Sequence, residues 1–517
     1  MEKLNLIFFS LLLSSCLCDG YRILAVFPTS SVSHSILGDN FVKTLLNAGH
    51  EVVYISPYKN VNHPKLEIID ISQNLELFSD KNVDIKECMN GSLDLLDTKV
   101  LFEIITTITD VTLANPNVQK LLRDPNQKFD VIVAEYFFNN IYSALSAVYD
   151  APFIWFLTIV PHTLILDQIH GPMNPAYSSD YIEARIAPYS FVERVRGLYF
   201  TLSLLYNLHV TFPPVEEAIY HKHIPTILKS LGKPIPDYKV LTYNVSMVLG
   251  NSQVAIESAV PLPPNFKHIG GYHIDDDVKP LPENLKKIFD NAKNGVVFFS
   301  LGSHLMSKDL PEDMKQGILK VLGGLKQTVI WKFEESLPNT PKNVHIVQWA
   351  PQQSILAQPK LVLFVTHGGL LSTTEAVHFG VPLVVIPVFG DQFMNANLVE
   401  KKGIAVQVKL SYTMYNELKV AMDTVLGDTK YATNAKALSA AFHDLEMKPK
   451  VALNFWVEHV VRTRGAPHLR SVAVDIPLYQ RLYLDLLALI LLTPVVLLLV
   501  LKRFCCKKSD SQKVKRS

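Results

Sequence analysis

Between Phe364 and Pro382 the chain reads FVTHGGLLSTTEAVHFGVP. An apolar, strand-like run stops at a histidine and two glycines, and a helix-like stretch follows. Without a Cβ to block approach, such a turn exposes backbone N–H groups at the positive end of a helix, where a phosphate group fits. Ser372 and Glu375 also stand in capping-box spacing, which would make the turn a structural helix start. The local sequence admits both readings. SLGS, Ser300–Ser303, supplies a second glycine turn after a strand and could hold the other side of a diphosphate. Neither GxGxxG nor GxxxxGKS/T occurs, so a phosphate would be held by something other than a dinucleotide fingerprint or a Walker loop. His34, in TSSVSHS, falls on the loop after the first strand-like run, at the edge where open α/β sheets bind ligands.

These residues need strands that end at a common edge. YRILAVFP is a short strand, and ILGDNFVKTLLNAGHEVVYISP reads as an amphipathic helix, a stop at Gly49 and a second strand. FDVIVAE, Phe129–Glu135, is another strand, followed by the helical NNIYSALSAVYDAP and the apolar FIWFL. The same grammar restarts near Gly295 with GVVFFSLGS, PEDMKQGILKVLGGL, TVIWKF, LVLFVTHGG and PLVVIPV. The expectation is an α/β protein of two doubly wound halves, each a parallel sheet covered on both faces, with a cleft between them. SAVPLPPNFKHIGGYHIDDDVKPLPENL, dense in Pro, Gly and Asp, is the linker. This places an N-terminal domain at 21–275 and a C-terminal domain at 276–475. GLYFTLSLLYNLHV, 197–210, is apolar but too short to span a bilayer, and reads as a core or pocket-lining helix.

With 517 residues the chain can bury two cores, and 49 basic against 48 acidic side chains leave no field of the kind nucleic-acid binding requires. Residues 1–20, with Lys3 and an apolar stretch from Leu4 to Leu13, have the layout of a secretory signal peptide. Residues 482–501 are apolar enough for one membrane-spanning helix, and the basic tail 502–517 belongs in the cytosol. A single-pass type I protein with both domains in the lumen follows. The tail lysines Lys513 and Lys515 resemble a dilysine retrieval signal of the endoplasmic reticulum membrane. Cys16 and Cys18 would leave with the signal, and Cys505 and Cys506 flank the membrane, so Cys88 alone remains luminal and no internal disulfide is expected. Asn90 and Asn244 lie in glycosylation sequons.

The window from Trp349 to Gln392, WAPQQSILAQPKLVLFVTHGGLLSTTEAVHFGVPLVVIPVFGDQ, resembles the nucleotide-sugar signature of the UDP-glycosyltransferase family, the UDP-glucuronosyltransferase and UDP-glucosyltransferase group. HGGLLST is most similar to the insect branch, and the likeness extends to the signal peptide, FSLGS, the IGG linker and the C-terminal anchor. It implies a GT-B fold: two facing Rossmann-like domains, with the UDP-sugar in the C-terminal half and a small lipophilic acceptor in the N-terminal half. It also implies that Trp349 stacks on the uracil and that Gln352 lies beside the nucleoside. His367, the turn through Gly369 and Ser372, and Ser303 would hold the diphosphate. Glu375 would take the ribose hydroxyls, and Asp391 with Gln392 the sugar hydroxyls. His34 matches the family's general base, and Glu135 stands where the family usually has the aspartate that orients it.

The implied reaction inverts the anomeric centre and uses no metal and no cofactor beyond UDP-glucose or UDP-glucuronate as co-substrate. Two departures bear on the sugar. Leu371 replaces an asparagine of the vertebrate pattern, and Val260 stands where many glucuronosyltransferases have an arginine. A buried carboxylate without a cation is costly, which favours glucose over glucuronate. The rivals are a noncatalytic ligand-binding protein of the same fold and a lipid or protein glycosyltransferase of the secretory pathway. The reading is compatible with a homo-oligomer.

Overall fold

Runs rich in Val, Ile and Phe that are apolar at every position, rather than at alternate ones, belong in strands buried on both faces. In the computed structural model, which describes residues 20–77, 89, 98–302 and 307–513, they form two all-parallel sheets. The first comprises β1 (Arg22–Val26), β2 (Glu51–Ser56), β3 (Leu66–Asp70), β4 (Val131–Tyr136), β5 (Phe153–Leu157), β6 (Met247–Gly250) and β7 (Phe266–His268), in the order β3-β2-β1-β4-β5-β6-β7. The second comprises β8 (Val296–Ser300), β9 (Thr328–Lys332), β10 (Val344–Val347), β11 (Leu361–Thr366), β12 (Leu383–Val385) and β13 (Ala405–Gln407), in the order β10-β9-β8-β11-β12-β13. In both, the strand order reverses beside the first strand, at β1/β4 and at β8/β11. Crevices at such switch points are where doubly wound sheets take ligands.

Alternate residues of each strand enter different cores. Ile23, Ala25, Val131 and Val133 pack on one face of the first sheet, and Leu24, Val26, Ile132 and Ala134 on the other. The expected two-half grammar is therefore present, with local differences. The polar TSSVSHS is not wholly a loop: helix α1 (Val32–Asn47) begins inside it, because Ser31 caps it by accepting the His34 N–H at 3.3 Å. The Pro-rich linker contains β7, whose three residues are too few to show a period. Beyond the second sheet, α6 (Pro449–Arg462) returns to the first, where Ala452, Leu453, Val457 and Val460 join the cluster of Ile23, Phe41 and Met247.

Four more helices matter for function: α2 (Thr163–Ile169), α3 (Phe191–Tyr206), α4 (Leu370–Phe379) and α5 (Gln392–Lys401). Helix α3 overturns the expectation of a core helix at 197–210. Of its residues only Gly197, Leu204 and Leu205 are buried, while Phe191, Tyr199 and Tyr206 are 73%, 76% and 62% exposed. Its apolar character serves an outer face, and its start is fixed by a capping box between Ser190 and Glu193. Among the described residues one helix is long and apolar enough to cross a membrane. This is α7 (Leu484–Lys513), whose apolar part runs from Leu484 to Phe504 with mean hydropathy 2.8. It starts two residues later than the expected span because Tyr483 turns the chain with φ +55°. The expected signal peptide, apart from Gly20, lies outside the described residues, as do Cys88 and Asn90. Asn244 is exposed.

The segment before α7 is docked on the first domain. Arg481 Nη1 donates to Asp167 Oδ1 of α2 at 3.1 Å and to the His170 carbonyl at 3.2 Å, and His170 Nδ1 lies 2.8 Å from Ser471 Oγ. The Asp167 side chain is inaccessible to solvent. Removing Arg481 leaves the buried Asp167 carboxylate with only His209 Nε2, 3.1 Å from Oδ2, so Arg481→Ala is expected to cost about 3 kcal/mol. Adding Asp167→Asn should restore most of the thermal unfolding midpoint, measured in detergent; no recovery would show that the loss does not come from the charge.

Candidate active site

Glu135 is the last but one residue of β4, at the β1/β4 switch point, and it is buried. One carboxylate oxygen, Oε1, is hydrogen-bonded to His34 Nδ1 in the first turn of α1. The other, Oε2, has no hydrogen-bond partner. A carboxylate so placed fixes the imidazole's orientation and tautomer, with the proton on Nδ1 and the Nε2 lone pair turned away from the acid. Glutamate's extra methylene, relative to the family's aspartate, still reaches the ring. The His34 ring packs against Phe137, centroid to centroid 5.0 Å. An aromatic series continues from it: Phe137 to Phe138 at 5.2 Å, Phe138 to Tyr181 at 6.5 Å and Tyr181 to His162 at 5.3 Å. Phe138 adopts φ +55°, a costly backbone for a bulky residue. Burial pushes His162 down to about 3, so it is neutral and behaves as another apolar ring.

The β8/β11 switch point supplies the facing half. After β11 the chain turns through His367, Gly368 (φ +83°) and Gly369 into α4. The His367 imidazole lies between two glycines. A Cβ on Gly302, after β8, would come within 2.6 Å of His367 Cε1, and one on Gly369 within 2.5 Å of Nε2. Lys332 Nζ, at the end of β9, donates to the Gly302 carbonyl at 2.6 Å and steadies that turn. Ser303 lies outside the described residues.

The capping-box alternative fails here. Helix α4 starts at Leu370, with Gly369 as its N-cap and no side-chain cap, so Ser372 and Glu375 come one turn too late to serve. Both are claimed by Gln352 in the short helix Gln352–Leu356. Its Nε2 donates to Ser372 Oγ at 3.0 Å and to Glu375 Oε2 at 2.7 Å. Trp349 is 70% exposed, so it is no core residue and offers an open ring face for stacking.

Asp391 and Gln392 sit where the loop after β12 enters α5. Gln392 is buried, and its Oε1 accepts the Val388 and Phe389 N–H groups at 2.8 and 3.2 Å, so its carbonyl end shapes the loop. Burial holds Asp391 above the ordinary carboxylate range; donation from Asn395 Nδ2 at 2.8 Å and the charge of His34 pull the other way. His34 of α1 and Asp391, which precedes α5, thus lie close enough to interact across the two halves. Leu371 does not turn to the turn's polar groups but packs against the apolar cluster of the first sheet. Leu370, Met394 and Leu398 likewise pack into the first domain's other cluster, and Asn397 Nδ2 donates to the Ala184 carbonyl at 2.6 Å.

Sequence reasoning missed the aromatic series beside His34, although the run YFF directly after FDVIVAE marks its start. It also missed Lys332, Asn395 and a second glutamine, Gln353, whose Nε2 donates to Glu375 Oε1 at 3.0 Å.

Residues 23–516 match the family profile described as UDP-glucoronosyl and UDP-glucosyl transferase. UDP-glucosyltransferase 2 of Dactylopius coccus is 30% identical over 99% of this chain and 99% of its own. UDP-glucuronosyltransferase 2B1 of Rattus norvegicus is 30% identical over 80% of this chain and 77% of its own. Among solved structures, Arabidopsis thaliana UGT89C1 complexed with UDP-L-rhamnose superposes with a TM-score of 0.56 at 15% identity, covering 86% of this chain and 99% of that one. The glycotransferase of kitacinnamycin superposes with a TM-score of 0.55 at 18% identity, covering 87% and 100%. At these identities the structures speak for the fold alone.

Gly369 has φ −59° and ψ 146°, which alanine adopts freely, so Gly369→Ala tests the close approach of His367 and nothing else in the backbone. It is expected to raise the UDP dissociation constant about tenfold in calorimetric titration, with the unfolding midpoint little changed. An unaltered UDP affinity would exclude His367 from the diphosphate seat.

Proposed function

The chain belongs to the UDP-glucuronosyl and UDP-glucosyl transferase family, and from that premise we propose that it is an inverting glucosyltransferase that conjugates small lipophilic acceptors at a membrane. It is a UDP-glycosyltransferase of GT-B fold. The observation that carries the proposal is the His34–Glu135 pair at one switch point, facing the His367 and glycine turn at the other.

In the proposed reaction Trp349 stacks on the uracil, Glu375 accepts from the ribose hydroxyls, and His367 with the α4 start receives the diphosphate. Asp391 and Gln392 take the sugar hydroxyls. Glu135 holds His34 Nδ1, and Nε2 takes the acceptor hydroxyl's proton as that oxygen bonds to the anomeric carbon. The bond to UDP breaks on the opposite face, which inverts the centre, and charge on the leaving diphosphate is met by donors gathered at the helix start. Glucose is favoured because Val260 and Leu371 offer no cation to a carboxylate. Arg185, which lines the same small interdomain cavity as Val260, is already paired with Glu183 at 2.7 Å and donates to the Glu193 carbonyl.

A lipophilic acceptor is supported by the aromatic series beside His34. A detoxification-type conjugation of phenols or alcohols fits that series. The proposed setting is the endoplasmic reticulum membrane, with α7 as the anchor, both domains luminal and exposed Asn244 open to glycosylation. The exposed apolar face of α3 supports a second seat on the bilayer. Helix α3 packs on α2, the helix that Arg481 binds, so this face lies near the entry of α7 into the membrane.

UDP release measured with UDP-glucose and with UDP-glucuronate, across a panel of phenols, tests the chemistry. Turnover should be faster with UDP-glucose, and His34→Ala should lose roughly 100-fold or more. Equal turnover by the variant would remove His34 as base, faster turnover with UDP-glucuronate would reverse the sugar assignment, and UDP binding without turnover of any acceptor would favour a noncatalytic protein. For the membrane seat, a chain ending at Arg481 should still pellet with microsomes, and Tyr199→Asp with Leu202→Asp should release it. Release of the truncated chain without those changes would sink the α3 contact.

A further inference from the structure

Tyr272 and His273 are neighbours in the segment after β7, and their side chains enter different domains. Tyr272 is fully buried; its hydroxyl donates to the Leu37 carbonyl of α1 at 2.8 Å, and its ring meets Phe41 and Phe156 edge-on. Leu37 lies one turn beyond His34, so this bond holds the helix that carries the candidate base. His273 is equally buried, with Nε2 3.5 Å from Glu375 Oε1. Gln353 completes the clamp from the other side: its Nε2 reaches Glu375 Oε1 at 3.0 Å and the His273 carbonyl at 3.4 Å, and its Oε1 accepts the Asp275 N–H at 3.1 Å.

The backbone that carries the two residues has little freedom. A Cβ on Gly270 would lie 2.5 Å from the Ser252 carbonyl oxygen, and Gly271 has φ +92° with the Phe442 ring against it. A shift of this segment therefore moves both contacts together. Neither ring nitrogen of His273 has a hydrogen-bond partner, and 3.5 Å to Glu375 is just beyond bonding distance. A buried donor left this close to a carboxylate gains a bond from a small displacement.

We propose that Tyr272 and His273 are positioning residues that form a two-residue coupler, registering the helix of His34 in one domain against the Glu375 seat in the other. The proposal rests on reading Glu375 as the ribose site. Occupation of that seat then draws on His273 and Gln353, and through Tyr272 fixes the height of α1, so that the base is brought to its working position when the donor is bound.

The test uses the full chain in detergent, with UDP affinity measured by calorimetry and steady-state kinetics measured with UDP-glucose and the best phenol found. Tyr272→Phe removes the hydroxyl and keeps the ring; it should lower kcat about fivefold and leave the UDP dissociation constant unchanged. His273→Ala should raise the UDP dissociation constant and the KM for UDP-glucose about tenfold. His273→Gln, which keeps a donor near the Nε2 position, should recover most of that affinity, and the Phe and Ala changes combined should deviate from additivity. An unchanged kcat in Tyr272→Phe, an unchanged affinity in His273→Ala, or no rescue by glutamine would overturn the coupler. If His273→Ala does not fold, the Tyr272→Phe and His273→Gln measurements still decide it. A wild-type chain that neither binds UDP nor consumes a UDP-sugar would instead overturn the ribose site on which the coupler rests.

Discussion

Glu135 brings a carboxylate to the end of a strand that is buried along its whole length, and one of its two oxygens has only His34 for a partner while the other has none. Such a group is expensive to bury, and the cost is tolerable only where its single partner is held in place. Much of the first domain can be understood from this. Ser31 ends the loop after β1 early enough for His34 to enter a helix, the β1/β4 pairing brings that helix beside the acid, and Tyr272 fastens the helix one turn farther on. Rigidity that would be superfluous in a binding loop is needed when a tautomer must be specified.

The second domain meets the opposite requirement. Where the first concentrates polar atoms in a dry core, the second removes side-chain bulk, and Gly302 and Gly369 leave room on either side of the His367 ring. A methyl group at either position would meet the imidazole and displace it, so the two glycines set where the ring can stand. The residues after the turn then serve each other: Gln352 ties Ser372 to Glu375, and Gln392 folds the loop that presents Asp391.

How far this was legible in the sequence depends on the range of the interaction concerned. Continuous apolar runs specified the buried parallel strands, since period and composition are local properties, and the ordered letters from Trp349 to Gln392 pointed to the family because so many had to coincide. The start of α1 was misplaced because Ser31 competes as a cap with a polar stretch that also looks like a loop. Helix α3 was assigned to the interior because apolar composition says that a face avoids water, not whether protein or lipid covers it. Strand β7 is too short for any pattern, and His273 and Gln353 acquire meaning only when the linker is folded against a helix roughly a hundred positions away. Leu371, informative as a departure in the sequence, proves in the fold to be an apolar contact between the domains.

The return of α6 to the first sheet has a mechanical consequence. The backbone passes between the domains twice, once through the segment after β7 and once ahead of Pro449, so the pair is joined by two tethers and not one. Two attachment points define an axis, and relative motion is thereby reduced from a free swivel to a swing about the line that joins them. Because the chain leading to α7 also leaves from the first domain, through Arg481 and Asp167, that domain is the moored part, and whatever swing the two tethers allow belongs to the second domain.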